Sequence, residues 1–297
     1  MGLPVFRKEQ RMSKKIVLVA ETGSDITPEV AAEHGICLVP MHVTMGERTL
    51  DDGAFPAEEV CAYYDRTGDT PKTSGSVPED FTTVLDDIHA REPEAQVLHL
   101  AYSAVTTCSY HSAQLASEGR DYVTSLDTKQ VAAGQYAAVL ETARYLQEHP
   151  EVTVEELKAE AEAISAHTHM CFVPMNLDYL RAGGRVSNVV ALTGNLLHLH
   201  PCIEIIDGYL LAKKKYRGAM EKLVPRLMRD HAEKYNLLRD QVFFICATGL
   251  SDEVKAVAEE TAREMGFKKI TWVKTGCVIT SHSGPGAFGM VGFSPRG

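Results

Sequence analysis

The chain has 297 residues, of which 44% are hydrophobic and 24% are charged, and its formal net charge at pH 7 is −10. This composition is that of a globular protein, and the length leaves room for two domains of ordinary size. Binding to nucleic-acid phosphates needs clustered Lys and Arg, and the one basic run, residues 213–215, is too short to reverse the negative charge. We therefore expect no nucleic acid among its partners.

The seven cysteines are odd in number, scattered, and never in a C-x-x-C arrangement. We expect reduced thiols in a reducing cytoplasm rather than a disulfide or zinc framework. Residues 1–15 lack the apolar run of a signal peptide, and no stretch reaches the length of a membrane span. These features predict a cytoplasmic protein without stable membrane insertion.

Strand and helix patterns alternate through the first half of the chain. Short apolar runs predict strands at 15–20, 36–39, 42–44, 97–102 and 122–126. Capping and proline signals predict helices that begin near 27, 56, 77, 110 and 129. Ser76 and Glu79 form a capping-box pattern for the third of these helices, within a stretch, 70–78, that is turn-forming throughout. Such alternation predicts a parallel sheet with helices on both faces.

The pattern changes after Pro150. The predicted helices here are 154–166, 220–235 and 252–265, and the predicted strands are 169–173, 242–248, 269–274 and 277–279. Residues 203–206 and 209–212 predict a hairpin, because Asp207-Gly208 between them is a favoured two-residue turn. A short helix is expected to end at Gly183-Gly184, with the glycines as its C-cap.

These elements predict an α/β protein of two domains. Residues 1–160 form a Rossmann-like α/β/α domain built on the parallel sheet, and residues 161–297 form an α+β domain built on a mixed sheet. In open α/β sheets, ligands bind beyond the carboxyl ends of the strands.

Near the C-terminus, three glycines at positions 284, 286 and 289 spell G-x-G-x-x-G. A dinucleotide-binding loop would need a following helix, a second strand and an acidic residue about 20 positions on, but only eight residues follow Gly289. What remains is a loop that can pass very close to another group, preceded by Thr280-Ser281-His282-Ser283. These side chains suit a small anion or a carboxylate. The alternative is a satisfied turn with a surface histidine.

Hydroxyl-rich loops recur after predicted strands, at residues 21–25, 73–76 and 103–109. A helix begins directly after the third loop, so backbone N–H groups and the positive end of the helix dipole point into the same space. Each loop taken singly is more often a cap or a turn. Together with the His282 loop they indicate a site for an anionic group.

The same segments resemble the DegV family of bacterial fatty-acid-binding proteins, and the resemblance covers nearly the whole chain from Lys15. The matching segments are VAETGSDI (19–26), TSGSVP (73–78), SAVTTCSYHSA (103–113), GGR (183–185), Pro201 with Asp207-Gly208, and HSGPGA (282–287). The last is nearly identical to the family's H-T-G-P-G-A. Glu21 stands where the family usually has Asp.

The resemblance implies a fatty acid held between the two domains, its carboxylate met by hydroxyls and a histidine. By position, the head-group candidates are Thr73, Ser74, Ser103 and His282, with Ser281 and Arg217 as weaker ones. Ala104 replaces the family's second serine and Thr107 the next one. If the second serine is the carboxylate donor, this chain has lost one contact, and Thr106, Thr107 or Ser109 must substitute for it. The family also implies a fatty-acid kinase as partner, for which Arg185 and Arg217 are candidate contacts.

We therefore expect a binding protein and acyl carrier without catalytic residues, metal or cofactor, whose ligand is a long-chain fatty acid. The chain has no G-x-S-x-G elbow, P-loop or H-E-x-x-H pattern. The histidine pairs 167/169 and 198/200 lack acidic or cysteine partners at metal spacing. The alternative is a hydrolase or phosphoryl-transfer enzyme that uses Ser103 and His282 on a small acyl substrate.

Overall fold

The computed structural model describes residues 14–185 and 199–296. The strands in these residues are β1 (Ile16–Glu21), β2 (Ile36–Val39), β3 (His42–Met45), β4 (Arg48–Asp51), β5 (Lys72–Ser74), β6 (Gln96–Ala101), β7 (Val123–Asp127), β8 (Thr168–Val173), β9 (Leu199–Ile206), β10 (Tyr209–Arg217), β11 (Gln241–Cys246), β12 (Lys269–Lys274) and β13 (Phe288–Phe293). The helices are α1 (Pro28–His34), α2 (Glu58–Thr67), α3 (Pro78–Arg91), α4 (Ser109–Ala116), α5 (Ala132–Glu148), α6 (Val154–Ala166), α7 (Leu177–Gly183), α8 (Met220–Lys234), α9 (Asp252–Glu264) and α10 (Cys277–Ser283).

The N-terminal sheet has the order β2-β1-β6-β7 and all of its strands are parallel, which confirms the predicted parallel sheet. Successive residues of β1 point to opposite faces, as strand geometry requires. Val17 and Val19 pack with residues of α3 and α4, whereas Leu18 and Ala20 pack with residues of α1 and α5. Helices therefore cover both faces of this sheet.

The C-terminal sheet is mixed, also as predicted, and has the order β10-β9-β8-β13-β11-β12. Only β11 and β12 are parallel neighbours, and the other four pairings are antiparallel. One face packs against α8 and α9, and the opposite face turns toward the N-terminal sheet and α5. The predicted domain boundary between residues 160 and 161 falls inside α6 and stays a prediction.

A third, small sheet of order β4-β3-β5 was not predicted. Its strand β5 lies inside residues 70–78, where the sequence predicts turns throughout. These residues form a strand because they pair with β3, with Thr73 opposite Val43. The capping-box prediction next to it was wrong. The N-cap of α3 is Val77, whose N–H donates to the Asp80 carboxylate at 2.7 Å, and Pro78 fixes the first helical residue.

The predicted strand at 277–279 was also wrong, because these residues begin helix α10. Two buried carboxylates decide the outcome. Asp25 accepts the N–H of Gly276 at 2.7 Å, and Asp52 accepts those of Cys277 at 2.7 Å and Val278 at 3.2 Å. These bonds satisfy N–H groups that have no partner within the helix, so tertiary contacts override the strand preference of the local sequence.

Candidate ligand-binding cavity

A cavity with about 830 Å³ of empty space, counting the space at its mouth, lies between the N-terminal region and the inner face of the C-terminal sheet. Its apolar lining comes from Met41, Tyr102, Val131, Ala132, Met170, Phe172, Leu180, Leu210, Ile245, Val278, Ile279 and Ala287. Its polar lining comes from Thr73, Ser74, Thr106, Thr107, Arg185, His282 and Ser283. A large apolar cavity with a few polar groups is the usual form of a small-molecule site.

His282 and Thr73 form a polar pair in the cavity wall, with 2.7 Å between His282 Nε2 and Thr73 Oγ1. The other ring nitrogen, Nδ1, is fully buried and has no hydrogen-bond partner. A buried N–H without a partner costs more than a bare acceptor, so the favoured tautomer carries its proton on Nε2 and donates it to Thr73. The Thr73 hydroxyl then keeps its own proton free for a ligand.

The electrostatics of the cavity keep His282 neutral. Burial, and next the positive charge of Arg185, lower the pKa of His282 to about 4. A neutral imidazole can donate through Nε2 without bringing a charge of its own into an apolar site. The positive charge in the cavity wall therefore comes from Arg185.

Arg185 lines the cavity, a position that the sequence did not reveal. Its guanidinium donates to the Gly183 carbonyl at 2.7 Å, just past the end of α7. Gly184 ends that helix in the left-handed conformation, φ 62°, which confirms the predicted C-cap. The GGR triplet was the one sequence signal for this position, because Arg185 directly follows the glycine that ends the helix next to the cavity.

Gly183 is needed because the His282 ring lies directly against it. A Cβ at this position would overlap His282 Nδ1. Gly75 has a similar role on the opposite wall, where a Cβ would overlap Thr107 Oγ1 and lie 2.6 Å from Ser109 Oγ. These two glycines let side chains from distant segments approach the main chain closely.

Four of the predicted head-group residues line the cavity, namely Thr73, Ser74, Thr107 and His282. The remaining four, Ser103, Ala104, Ser281 and Arg217, are not among the residues that line it. Whether any of the eight binds a ligand stays a prediction, but their positions differ for clear reasons.

Ser103 holds the turn of the β9–β10 hairpin. Its hydroxyl is fully buried and donates to the Gly208 carbonyl at 3.0 Å. Gly208 has φ 83°, and a Cβ there would come within 2.5 Å of Ser103 Oγ. At the next position, Ala104 donates its backbone N–H to Asp127 at 3.2 Å. Position 104 lies outside the cavity lining.

Ser281 and Arg217 are placed away from the cavity by their elements. The Ser281 hydroxyl is buried inside α10 and donates to the Cys277 carbonyl at 2.8 Å. Val278, Ile279, His282 and Ser283 line the cavity from one face of α10, because residues four apart point the same way, and Ser281 lies outside that face. Arg217 is exposed at the end of β10, which is an edge strand of the C-terminal sheet.

The glycine-rich segment 284–289 packs against protein rather than against a phosphate. Gly284, φ 67°, leaves room for the Tyr179 ring, to which a Cβ would come within 2.7 Å. Gly289 lies in β13, where a Cβ would come within 2.6 Å of the Cys171 carbonyl oxygen. These close approaches bring Ala287 to the cavity wall between them.

The described members of the two histidine pairs, His167, His169 and His200, have protein partners. His167 Nδ1 and His169 Nε2 both lie 3.0 Å from Ser294 Oγ, and His200 Nδ1 lies 3.2 Å from the Pro174 carbonyl. His198 lies outside the described residues. Within residues 14–185 and 199–296, no three His, Cys, Asp or Glu side chains are grouped so as to hold a metal ion. No helix in these ranges has the length and hydropathy to cross a membrane.

The fold and the cavity together define a two-domain α/β protein with a mainly apolar cavity that carries a few polar groups. The chain belongs to the DegV family, whose sequence model matches residues 15–294.

Named relatives cover almost the entire chain. A Thermotoga maritima protein named "Fatty acid-binding protein" is 27% identical over 286 residues, which are 93% of this chain and 96% of the relative. A DegV family protein from Thermus thermophilus, whose structure is described as showing fatty acid binding, superposes with a TM-score of 0.84 at 27% identity, over 95% of this chain and all of that one. A DegV lipid-binding protein from Thermotoga maritima gives 0.79 at 25% identity over the same shares.

Proposed function

We propose that this protein binds a long-chain fatty acid in the cavity, with the carboxylate beside Thr73, His282 and Arg185 and the acyl chain along the apolar lining. The observation that carries the proposal is one cavity that combines an extensive apolar wall with a hydroxyl–imidazole pair and a guanidinium. The fatty acids bound by DegV relatives from Thermus and Thermotoga support it.

The apolar wall supplies most of the affinity. Each methylene removed from water contributes about 0.8 kcal/mol, so ten buried methylenes contribute about 8 kcal/mol before the cost of association. Two methionines, Met41 and Met170, belong to this wall. Their flexible thioethers can adapt to the contour of an acyl chain.

The polar groups orient the ligand. With the Nε2 proton of His282 donated to Thr73, the Thr73 hydroxyl can donate to a carboxylate oxygen. Thr107, on the opposite wall, has Ser109 Oγ at 3.2 Å and offers a second hydroxyl. Thr107 thus supplies the contact that Ala104 cannot make. Arg185 adds the positive charge that offsets the cost of enclosing a carboxylate.

Binding, rather than catalysis, accounts for these groups, and the proposal needs no cofactor. The competing Ser103–His282 hydrolase requires the serine within hydrogen-bond reach of its base. Here Ser103 donates to Gly208, and His282 pairs with Thr73. Neither side chain is arranged to activate the other.

We further propose that the protein is a cytoplasmic acyl carrier that presents its bound ligand to a fatty-acid kinase, with Arg217 as a contact. The seven cysteines are all free, as a reducing compartment favours. Arg217 is exposed on an edge strand close to the exposed Lys213 and Lys215. This surface is available to a partner, whereas Arg185 is assigned to the ligand.

The test begins with protein purified from a bacterial host and extracted with solvent, in which mass spectrometry should detect a long-chain fatty acid. Stripped protein is then titrated with palmitic acid and with the matching alcohol. Thr73→Val keeps the shape and removes the hydroxyl, so it should weaken acid binding about 10-fold and alcohol binding far less. Thr49→Val, on exposed β4, is the matched control. An acid affinity equal to that of wild type would refute the head-group assignment.

A further inference from the structure

Two aspartates that no binding role uses, Asp25 and Asp52, lie at the start of α10. Both are buried, and they come from separate segments, Asp25 after the short turn 22–24 that follows β1 and Asp52 directly after β4. Each uses its Oδ1 atom to accept backbone N–H groups of residues 276–278. The carboxylates therefore join two N-terminal segments to the helix that carries His282.

These contacts involve only one oxygen of each carboxylate. Asp25 Oδ2 and Asp52 Oδ2 are both buried and have no hydrogen-bond partner. The two groups are close to each other, since a Cβ on Gly276 would lie 3.4 Å from Asp25 Oδ1 and 3.4 Å from Asp52 Oδ2. Two ionised carboxylates so placed would repel each other and leave two buried acceptors unsatisfied.

We propose that Asp25 keeps a proton beside the ionised Asp52, and that this acid pair positions α10 and with it His282. The proton removes the repulsion between the two carboxyl groups, because only one of them then carries a charge. Gly276 is a glycine because a side chain there would enter the space that the pair occupies.

The donors decide which aspartate keeps the proton. Asp52 accepts two backbone N–H groups, whereas Asp25 accepts a single N–H. Burial raises the pKa of both carboxyls, and the charge of Asp52 further raises that of Asp25. The ionised form of Asp52 is therefore the better stabilised one.

The titratable groups around the pair do not supply a counter-charge. Burial, followed by Asp25 and Glu21, raises the pKa of Tyr102 beyond its usual range. Burial raises the pKa of Cys277 to about 11, with Asp52 and the more distant Glu58 adding to the effect. Glu58 itself pairs with Lys274 at 3.1 Å. These surrounding groups therefore favour the protonated form of the acid pair over the doubly ionised form.

The proposal predicts different effects for Asp25→Asn and Asp52→Asn, whereas carboxylates that served only as helix caps would predict similar effects for both. Asp25→Asn keeps the acceptor for Gly276, removes the ionisable group, and suits the left-handed backbone of residue 25, φ 62°. It should leave the melting temperature at neutral pH unchanged or higher. Asp25→Ala and Asp52→Asn should both lower it, the first by removing an N–H acceptor and the second by removing the charge at the helix start. The exposed Asp121→Asn is the control.

Two measurements test the pair directly, and neither depends on whether a fatty acid binds. Above pH 4, where an unfolded aspartate ionises, the wild-type protein should lose stability relative to Asp25→Asn as pH rises, because the unfolded chain releases a proton that the native pair retains. Its infrared spectrum at neutral pH should contain a protonated-carboxyl band that Asp25→Asn lacks. The absence of this band, or an Asp25→Asn variant as unstable as Asp25→Ala with the wild-type pH slope, would overturn the proposal.

The consequence for the site rests on the proposed fatty-acid binding. Because α10 carries Val278, Ile279 and His282 in the cavity wall, Asp25→Ala should weaken palmitic acid binding several-fold, whereas Asp25→Asn should stay within two-fold of wild type. Equal weakening in both variants would contradict the positioning role. If wild type binds no fatty acid, the proposed function fails while the stability and infrared results still decide the acid pair.

Discussion

The two faces of the six-stranded C-terminal sheet use neighbouring residues of the same strands for different ends. On the outer face, Phe244 of β11 and Cys171 of β8 are fully buried in a cluster with residues of α8 and α9. On the inner face, Ile245 and Met170 border the cavity. Because side chains alternate along a strand, one residue can contribute to stability while the next forms a binding wall. The outer face is close-packed, whereas the inner face borders the cavity.

The largest effect expected is on the outer face. Phe244→Ala removes a ring that packs 5.0 Å from Trp272 and 5.4 Å from Phe288, measured between ring centroids. It should lower the free energy of unfolding by about 3–5 kcal/mol. Chemical denaturation measures this loss. A loss below about 1 kcal/mol would mean that this face is not the close-packed one.

Acid should destabilise the protein, because one histidine near each face of this sheet is buried in its neutral form. Burial lowers the pKa of His231, on α8, to about 4, and burial with Arg185 does the same for His282. An unfolded histidine titrates near pH 6.5, so between 6.5 and 4 the unfolded chain binds protons that the native protein does not. Stability is complete above pH 6.5 and falls toward pH 4, by about 3 kcal/mol for His231 and less for the partly exposed His282.

The measurement for these histidines is urea unfolding across this pH range. His282→Gln should reduce the acid slope while weakening fatty-acid binding, whereas His231→Gln should reduce the slope alone. An unchanged slope in both variants would contradict the account of how these two side chains titrate.

Ile245→Ala on the cavity face should have a smaller effect than Phe244→Ala. The substitution enlarges a space that already exists, so we expect the low end of the usual range, about 2 kcal/mol. Palmitic acid affinity should fall because buried contacts with the chain are lost. If Ile245→Ala destabilised the protein as much as Phe244→Ala, the two faces would not differ as described.

The smallest effect is expected at Ser103. Ser103→Ala removes its hydrogen bond to Gly208 and should cost about 1 kcal/mol of stability. Palmitic acid affinity should change less than two-fold, because Ser103 is outside the cavity lining. A 10-fold loss of affinity with unchanged stability would restore Ser103 to the head-group site.

Sequence patterns predicted the two sheets well because each depends on local periodicity. The parallel strands are short apolar runs, and the Asp207-Gly208 hairpin has a distinctive turn. What the patterns missed depends on distant contacts. Residues 277–279 have strand-forming side chains, yet Asp25 and Asp52 make them helical.

The binding site was predicted in part for a similar reason. Motif positions placed Thr73, Ser74, Thr107 and His282 near one another, and all four are among the residues that line the cavity. The motif could not indicate that the Ser103 hydroxyl turns to a hairpin carbonyl, nor that Arg185 lines the cavity. Side-chain direction depends on how separate segments pack, and a single sequence does not contain that information.

The most direct test of the central claim is carbon-13 NMR of palmitic acid labelled at its carboxyl carbon and bound to the protein. The account predicts one bound carboxyl resonance, distinct from that of the free acid, that shifts in Thr73→Val and in His282→Gln but not in Ser103→Ala. A resonance that stays at the position of the free acid, or that responds to Ser103→Ala alone, would contradict a carboxylate held by Thr73 and His282.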